Sequence, residues 1–238
     1  MRPIRRNPEI FMSEVIKADS LEIGYSPDNV LAKISNLRID QGEIISIIGE
    51  SGIGKTTLLK NIANLVKPIS GTLKVFDNVQ VRGRIGYIPQ KLGLIKHETV
   101  FFNVLEGAIC NESILRSITG FHEEKIITKV EKSIKLMNLS DKIDEKINRL
   151  SGGQQRRVAI ARTIAQGPKL ILADEFLSEL DSKTVDSVWK AMLDYVENEN
   201  ITLVIIEHNI ERAKLAKRCL KLEKNNDKGY SILNEVQL

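Results

Sequence analysis

A strand, a glycine-rich loop and a helix follow one another without a gap across residues 43–66, and this succession limits the possible folds more tightly than any other stretch of the chain. Glu43-Ile44-Ile45-Ser46-Ile47-Ile48 reads as a buried strand. Gly49-Glu50-Ser51-Gly52-Ile53-Gly54-Lys55-Thr56 then fits G-x-x-x-x-G-K-[ST], and residues 55–66 read as a helix with apolar positions at Leu58, Leu59, Ile62, Ala63 and Val66. Three glycines let the backbone turn N–H groups toward phosphate oxygens, and the helix N-terminus adds its positive dipole end. Lys55 can reach the β- and γ-phosphates of a nucleotide, and the Thr56 hydroxyl can ligate magnesium. The alternative is a plain glycine turn between strand and helix.

A second glycine site, Leu150-Ser151-Gly152-Gly153-Gln154, follows much later. It makes sense as a cap over phosphates held by another chain. Between Lys169 and Glu175 an apolar run ends in two adjacent carboxylates, Asp174 and Glu175. Neighbouring strand residues point to opposite faces, so the two are expected to do different work: Asp174 in the magnesium shell through water, Glu175 as general base on the attacking water. An ordinary strand-end Asp-Glu is the alternative here.

Three further residues occur in the order a complete site needs. Tyr25, just before a Pro27-Asp28-Asn29 turn, can stack on adenine; Gln90, after a short strand, can offer an amide oxygen to magnesium; His208, at the end of another apolar strand, can reach a γ-phosphate. Singly, each has a plain reading as a half-buried strand aromatic, a loop amide or a helix-capping histidine. Their joint order favours the site.

With these pieces in place, the chain resembles the nucleotide-binding subunit of ABC transporters over about residues 15–222. The nucleotide loop falls at 49–57, the glutamine loop at Gln90, the signature at 150–154, the carboxylate strand at 170–175, the turn after it at Ser178-Glu179-Leu180-Asp181, and the switch histidine at His208. The resemblance implies an α/β fold: a P-loop NTPase (RecA-like) core with an antiparallel β subdomain and an inserted α-helical subdomain at about 95–155. It adds Thr57 and Asp181 to the ATP contacts and assigns catalysis to Glu175, His208 and Gln90, with Thr56, Gln90 and Asp174 around the metal. ATP and Mg2+ are the implied cofactors. The implied assembly is a homodimer with each ATP held between one chain's Lys55 loop and the other's Ser151, Gly152 and Gly153, joined to a membrane permease and, for an importer, a solute-binding protein.

Two departures from the family pattern stand beside the catalytic carboxylate. Phe176 replaces the usual Pro and reads as a change in loop packing. Glu179 stands where a small residue is common, and a carboxylate near bound triphosphate is expected to slow dimer closure by like-charge repulsion. Asn209, where Asp is frequent, reads as the cap of the next helix.

Composition agrees with one such subunit. At 238 residues, 42% hydrophobic and 28% charged, the chain can bury a sizeable core as a single domain over 12–238. No apolar run approaches a membrane span, and the basic start at Arg2, Arg5 and Arg6 is not followed by the apolar segment of a signal peptide. Residues 1–11 read as a flexible leader, and the protein is expected on the inner face of the membrane through its permease. The 35 basic and 31 acidic residues leave +4, too balanced to imply nucleic-acid binding. Cys110 and Cys219 are expected as buried, reduced thiols, and Trp189 as a packing residue in a helix over 183–196.

The segment after Gln90 bears on subtype. It reads as an apolar helix over 100–107 and an amphipathic helix over 123–137, with Phe101, Phe102 and Leu105 as candidates to line a permease groove or to fill the core. Asn103-Val104-Leu105-Glu106-Gly107 and Thr119-Gly120-Phe121 are similar to phosphonate importers. The short link over 71–84 and the phrase Arg84-Ile85-Gly86-Tyr87-Ile88-Pro89-Gln90 are more similar to zinc and manganese importers. A mechanotransmission ATPase stays open as a third reading. A chromosome-maintenance ATPase needs a long coiled-coil insertion between Lys55 and Ser151, for which there is no room, and a translation-associated member carries two such domains.

Overall fold

The computed structural model describes residues 13–78, 83–111, 124–225 and 229–238. The leader, the Thr119-Gly120-Phe121 stretch and the start of the second helix at Glu123 lie outside them. Nine strands form one sheet: β1 Glu14–Ser26, β2 Asn29–Asp40, β3 Ile44–Ile48, β4 Ser70–Val75, β5 Ile85–Ile88, β6 Leu170–Asp174, β7 Thr202–Ile206, β8 Arg218–Lys224 and β9 Ser231–Val236, in the order β4-β1-β2-β9-β8-β3-β7-β6-β5.

The two halves of this sheet follow from two sequence patterns. β3, β6 and β7 are buried at all five positions and apolar at four of them, as suits strands covered on both faces, and they pair in parallel with one another and with β5 and β8. β1 and β2 instead alternate buried and open residues, and they pair antiparallel across the Pro27-Asp28 turn. A short parallel contact, Ala32 with Ser231, joins the halves.

Alternation along the central strands sends neighbours into two cores. Ile44, Ile171 and Leu203 pack with helical residues such as Val104, Ile134, Ile160 and Trp189. Ile45, Leu170, Leu172 and Val204 pack on the other face with Leu58, Leu59 and Ile62. Each of these aliphatic side chains contributes roughly 1.5–3 kcal/mol by leaving water.

Six α-helices occur among the described residues: α1 Lys55–Ile62, α2 Val100–Ala108, α3 Glu124–Leu136, α4 Gly152–Gln166, α5 Ser182–Asn198 and α6 Ile210–Ala213. α1 stops short of Val66 because Asn64 turns left-handed (φ 57°) and the Asn61 amide donates to the Val66 carbonyl at 2.8 Å. α4 packs against α2, α3 and β5. A Cβ on Gly107 would stand 2.1 Å from the Arg162 carbonyl oxygen, so only glycine lets α2 approach α4 so closely.

Several local expectations resolve here. Asn209 caps α6 by accepting from the Arg212 N–H at 3.2 Å. Phe176 is fully buried and its ring lies 5.7 Å from that of Trp189, so it does serve packing. Cys219 is buried, but Cys110 is only partly so, because it sits in the short turn after α2. Leu105 belongs to the core, whereas Phe101 and Phe102 are half-buried. Among the described residues no helix is long and apolar enough to cross a membrane.

Candidate functional site

The loop between β3 and α1 is held open by its glycines. Gly49 has φ 147°, and a Cβ there would stand 2.4 Å from the Leu222 carbonyl oxygen on β8. Gly54, at φ 111°, leads into α1 and offers no side-chain cap, which leaves the first-turn N–H groups for an anion. The Lys55 ammonium folds back and donates to the carbonyl oxygens of Gly49 at 2.8 Å and Glu50 at 2.6 Å. Burial pulls its pKa below the usual lysine value, while Glu175 and Asp174 pull it up.

A cavity of about 240 Å³ lies over this loop. Ser51, Gly52, Gly54, Lys55, Thr56 and Thr57 line it from the loop and α1, Tyr25 and Leu31 from the first hairpin, and Gln90, Glu175 and His208 from three strand ends. Tyr25 is 78% exposed, so its ring is a free face and not a half-buried strand aromatic. At the strand ends the Gln90 amide donates to Glu175 Oε2 at 3.2 Å, and His208 Nε2 shares a hydrogen bond with Glu175 Oε1 at 2.8 Å.

The separation of the two carboxylates has a different origin from the one expected. β6 ends at Asp174, and Glu175 stands outside it in a left-handed turn at φ 52°. A non-glycine residue there stores roughly 1–3 kcal/mol of strain, which the surrounding structure must hold. Strand alternation therefore does not place Glu175; the turn does. Asp174 is 1% exposed and its Oδ1 has no partner. Burial raises its pKa, with the Thr56 hydroxyl acting against this. A hard cation takes oxygen ligands of this kind, so the orphaned oxygen beside the Thr56 hydroxyl fits magnesium.

Not every expected residue converges on the cavity. The Gly49 and Glu50 carbonyls hold Lys55, while the Ile53 side chain packs into the core. Ser151 is the N-cap of α4: its hydroxyl accepts from the Gln154 N–H at 3.3 Å, and the Gln154 side chain accepts from the Ser151 N–H at 2.8 Å. Residues 151–154 do not line the cavity. Asp181 caps α5, accepting from the Thr184 N–H at 3.0 Å. Glu179 lies 3.6 Å from the buried Arg156 guanidinium, which gives its carboxylate a counterion within the chain.

Sequence reading overlooked Leu31, Arg156 and Glu207. Arg156 carried a signal: it shares a helical stripe with the buried Ala159, Ile160 and Thr163, an odd place for a cation. Glu207, 4% exposed, hides in the apolar run before His208, and burial pushes its pKa up to about 7.

The chain is similar to known proteins along most of its length. A sequence profile for the family described as ABC transporter matches residues 32–178. The phosphonates import ATP-binding protein PhnC 2 of Halalkalibacterium halodurans is 37% identical over 84% of this chain and 86% of its own length. The methionine import ATP-binding protein MetN of Carboxydothermus hydrogenoformans is 37% identical over 80% of this chain and 58% of its own. The solved dimeric structure of the ATP-binding cassette MJ0796 in a post-hydrolysis state, bound to ADP and Pi, superposes with a TM-score of 0.78 at 28% identity, covering 94% of this chain and 99% of that one. The chain belongs to the ABC transporter family and is one of its ATP-hydrolysing, ATP-binding subunits.

Proposed function

We propose that this subunit powers an importer, with phosphonate or a related oxyanion as cargo, by closing as a homodimer on two ATP molecules. The observation that carries the mechanism is the Glu175 carboxylate, gripped by Gln90 and His208 at the cavity that Lys55 serves. Tyr25 stacks on the adenine ring. The first-turn N–H groups of α1 and the Lys55 ammonium take the phosphates, Lys55 exchanging its two loop carbonyls for phosphate oxygens. Glu175 removes a proton from the attacking water, and His208 holds that carboxylate and the γ-phosphate in place. Thr56 and Gln90, with Asp174 through water, would hold magnesium, which would supply charge neutralisation on the phosphates.

The signature stays outside the chain's own cavity, which supports the shared site. Ser151, Gly152 and Gly153 at the start of α4 close over the γ-phosphate of a second copy. ATP binding favours the closed dimer; hydrolysis releases it, and a permease at the membrane's inner face turns this cycle into alternating access. The phosphonate-importer relative supports the cargo. The equally identical methionine-importer relative supports import as such, and neither favours zinc, manganese or mechanotransmission work.

Ser151→Arg tests the shared site. The variant is expected to bind ATP as a monomer yet neither dimerise nor hydrolyse it, after correction for a lost cap worth about 1 kcal/mol. Mixed with Glu175→Gln chains, it is expected to form dimers and regain part of the activity, because one composite site is intact. Light scattering that finds ordinary ATP-dependent Ser151→Arg homodimers refutes the arrangement. For the cargo, ATPase activity of the complete transporter is expected to rise with phosphonate and not with methionine; the reverse response refutes that reading.

A further inference from the structure

The guanidinium of Arg156 is 1% exposed, and two loops of the site meet on it. Nη1 donates to the backbone carbonyls of Gln90 at 3.2 Å and Pro89 at 3.4 Å. Nη2 donates to Ser178 Oγ at 2.9 Å and lies 3.6 Å from Glu179 Oε1. Ser178 in turn donates its N–H to the Glu175 carbonyl at 3.0 Å, so the second loop starts at the proposed base. One buried cation thus holds the Gln90 loop by its backbone and the Glu175 turn through the Ser178 hydroxyl, and the Gln90 and Glu175 side chains join across the cavity at 3.2 Å. Arg156 itself does not line that cavity.

A buried charge is costly unless it is paired and hydrogen-bonded. Glu179 supplies the counterion from the surface side, in a left-handed conformation (φ 66°) that sets its carboxylate over the first turn of α4. The planar fork of arginine suits a bridge between two loops, whereas an ammonium is a single point.

We propose that Arg156 is a positioning residue for ATP hydrolysis: it clamps the Gln90 loop to the Glu175 turn, with Glu179 balancing its charge. The assignment rests on the roles proposed above for Gln90 and Glu175. The test compares Arg156→Gln, Arg156→Lys and Ser178→Ala, by ATPase kinetics, equilibrium ATP binding and amide hydrogen exchange over residues 88–94 and 175–181.

Arg156→Gln is expected to lower kcat about ten- to a hundredfold while the ATP Kd stays within about twofold, since only the reacting geometry is lost. Exchange is expected to speed up in both segments together. Arg156→Lys is expected to recover part of kcat, and Ser178→Ala to lower it less and to loosen 175–181 alone. Parental kcat in Arg156→Gln overturns the proposal, as does an equal loss of binding and kcat or faster exchange throughout the domain. If Arg156→Gln does not fold, unchanged kcat and exchange in Ser178→Ala overturn it. Glu175→Gln, assayed alongside, separates the two readings. Parental activity there refutes the general base whatever Arg156 does, while an inactive Glu175→Gln beside an unaffected Arg156→Gln refutes the clamp alone.

Discussion

Replacing Glu207 by Gln tests whether its buried surroundings raise the proton affinity of a carboxyl group that the catalytic scheme does not use. Glu207 follows β7, is 4% exposed, and has one oxygen without a partner, while its N–H donates to the Ile47 carbonyl at 3.2 Å. Burial raises its pKa from the ordinary 4.5 to about 7, with Arg212 pulling it down and Glu175 pushing it further up. The folded chain therefore holds this proton more tightly than the unfolded chain does. Stability from this group is full below pH 4.5, falls as pH rises through the interval, and is gone above about pH 7. At 1.36 kcal/mol for each pKa unit, the loss is at most about 3 kcal/mol, or roughly 6–12 °C in melting temperature for a chain this size. Gln keeps the shape and carries no charge, so Glu207→Gln is expected to match the parent near pH 4.5 and exceed it by up to that amount at about pH 8. Urea unfolding across this range measures it. Parallel stability curves for the two proteins refute the reasoning, because the carboxyl would then have the same proton affinity folded and unfolded.

Lys55→Ala removes the cation that takes the phosphates and is expected to lose ATP binding, whereas His208→Ala is expected to bind ATP and turn it over poorly; a fluorescent ATP analogue separates them, and equal loss of binding contradicts the roles assigned. Phe176→Ala empties a fully buried site against Trp189 and is expected to cost about 3–5 kcal/mol, lowering the melting temperature by roughly 6–20 °C. A loss under about 1 kcal/mol would mean that the turn after Glu175 collapses to fill the space.

Much of this protein is local in origin and so legible in its sequence. The strand-loop-helix over 43–62 is encoded by a continuous aliphatic run, glycines at the positions that need positive φ, and a Lys-Thr pair, all within one stretch of chain. The same holds for Asn209 as a cap and for the parallel strands β6 and β7, whose four consecutive apolar residues announce burial on both faces.

Tertiary structure decided what depends on distant partners. Glu175 looked like the next residue of a strand, yet it leaves the strand in a left-handed turn, where Gln90 and His208, from opposite parts of the chain, grip its two oxygens. Lys55 rests on carbonyls of its own loop, a geometry that no spacing rule conveys. Sequence alone assigns no role to Arg156 or to Glu207. Only packing shows the first bridging two loops and the second held nearly dry, because burial and the field of neighbouring charges are properties of the assembled fold and not of any segment of it.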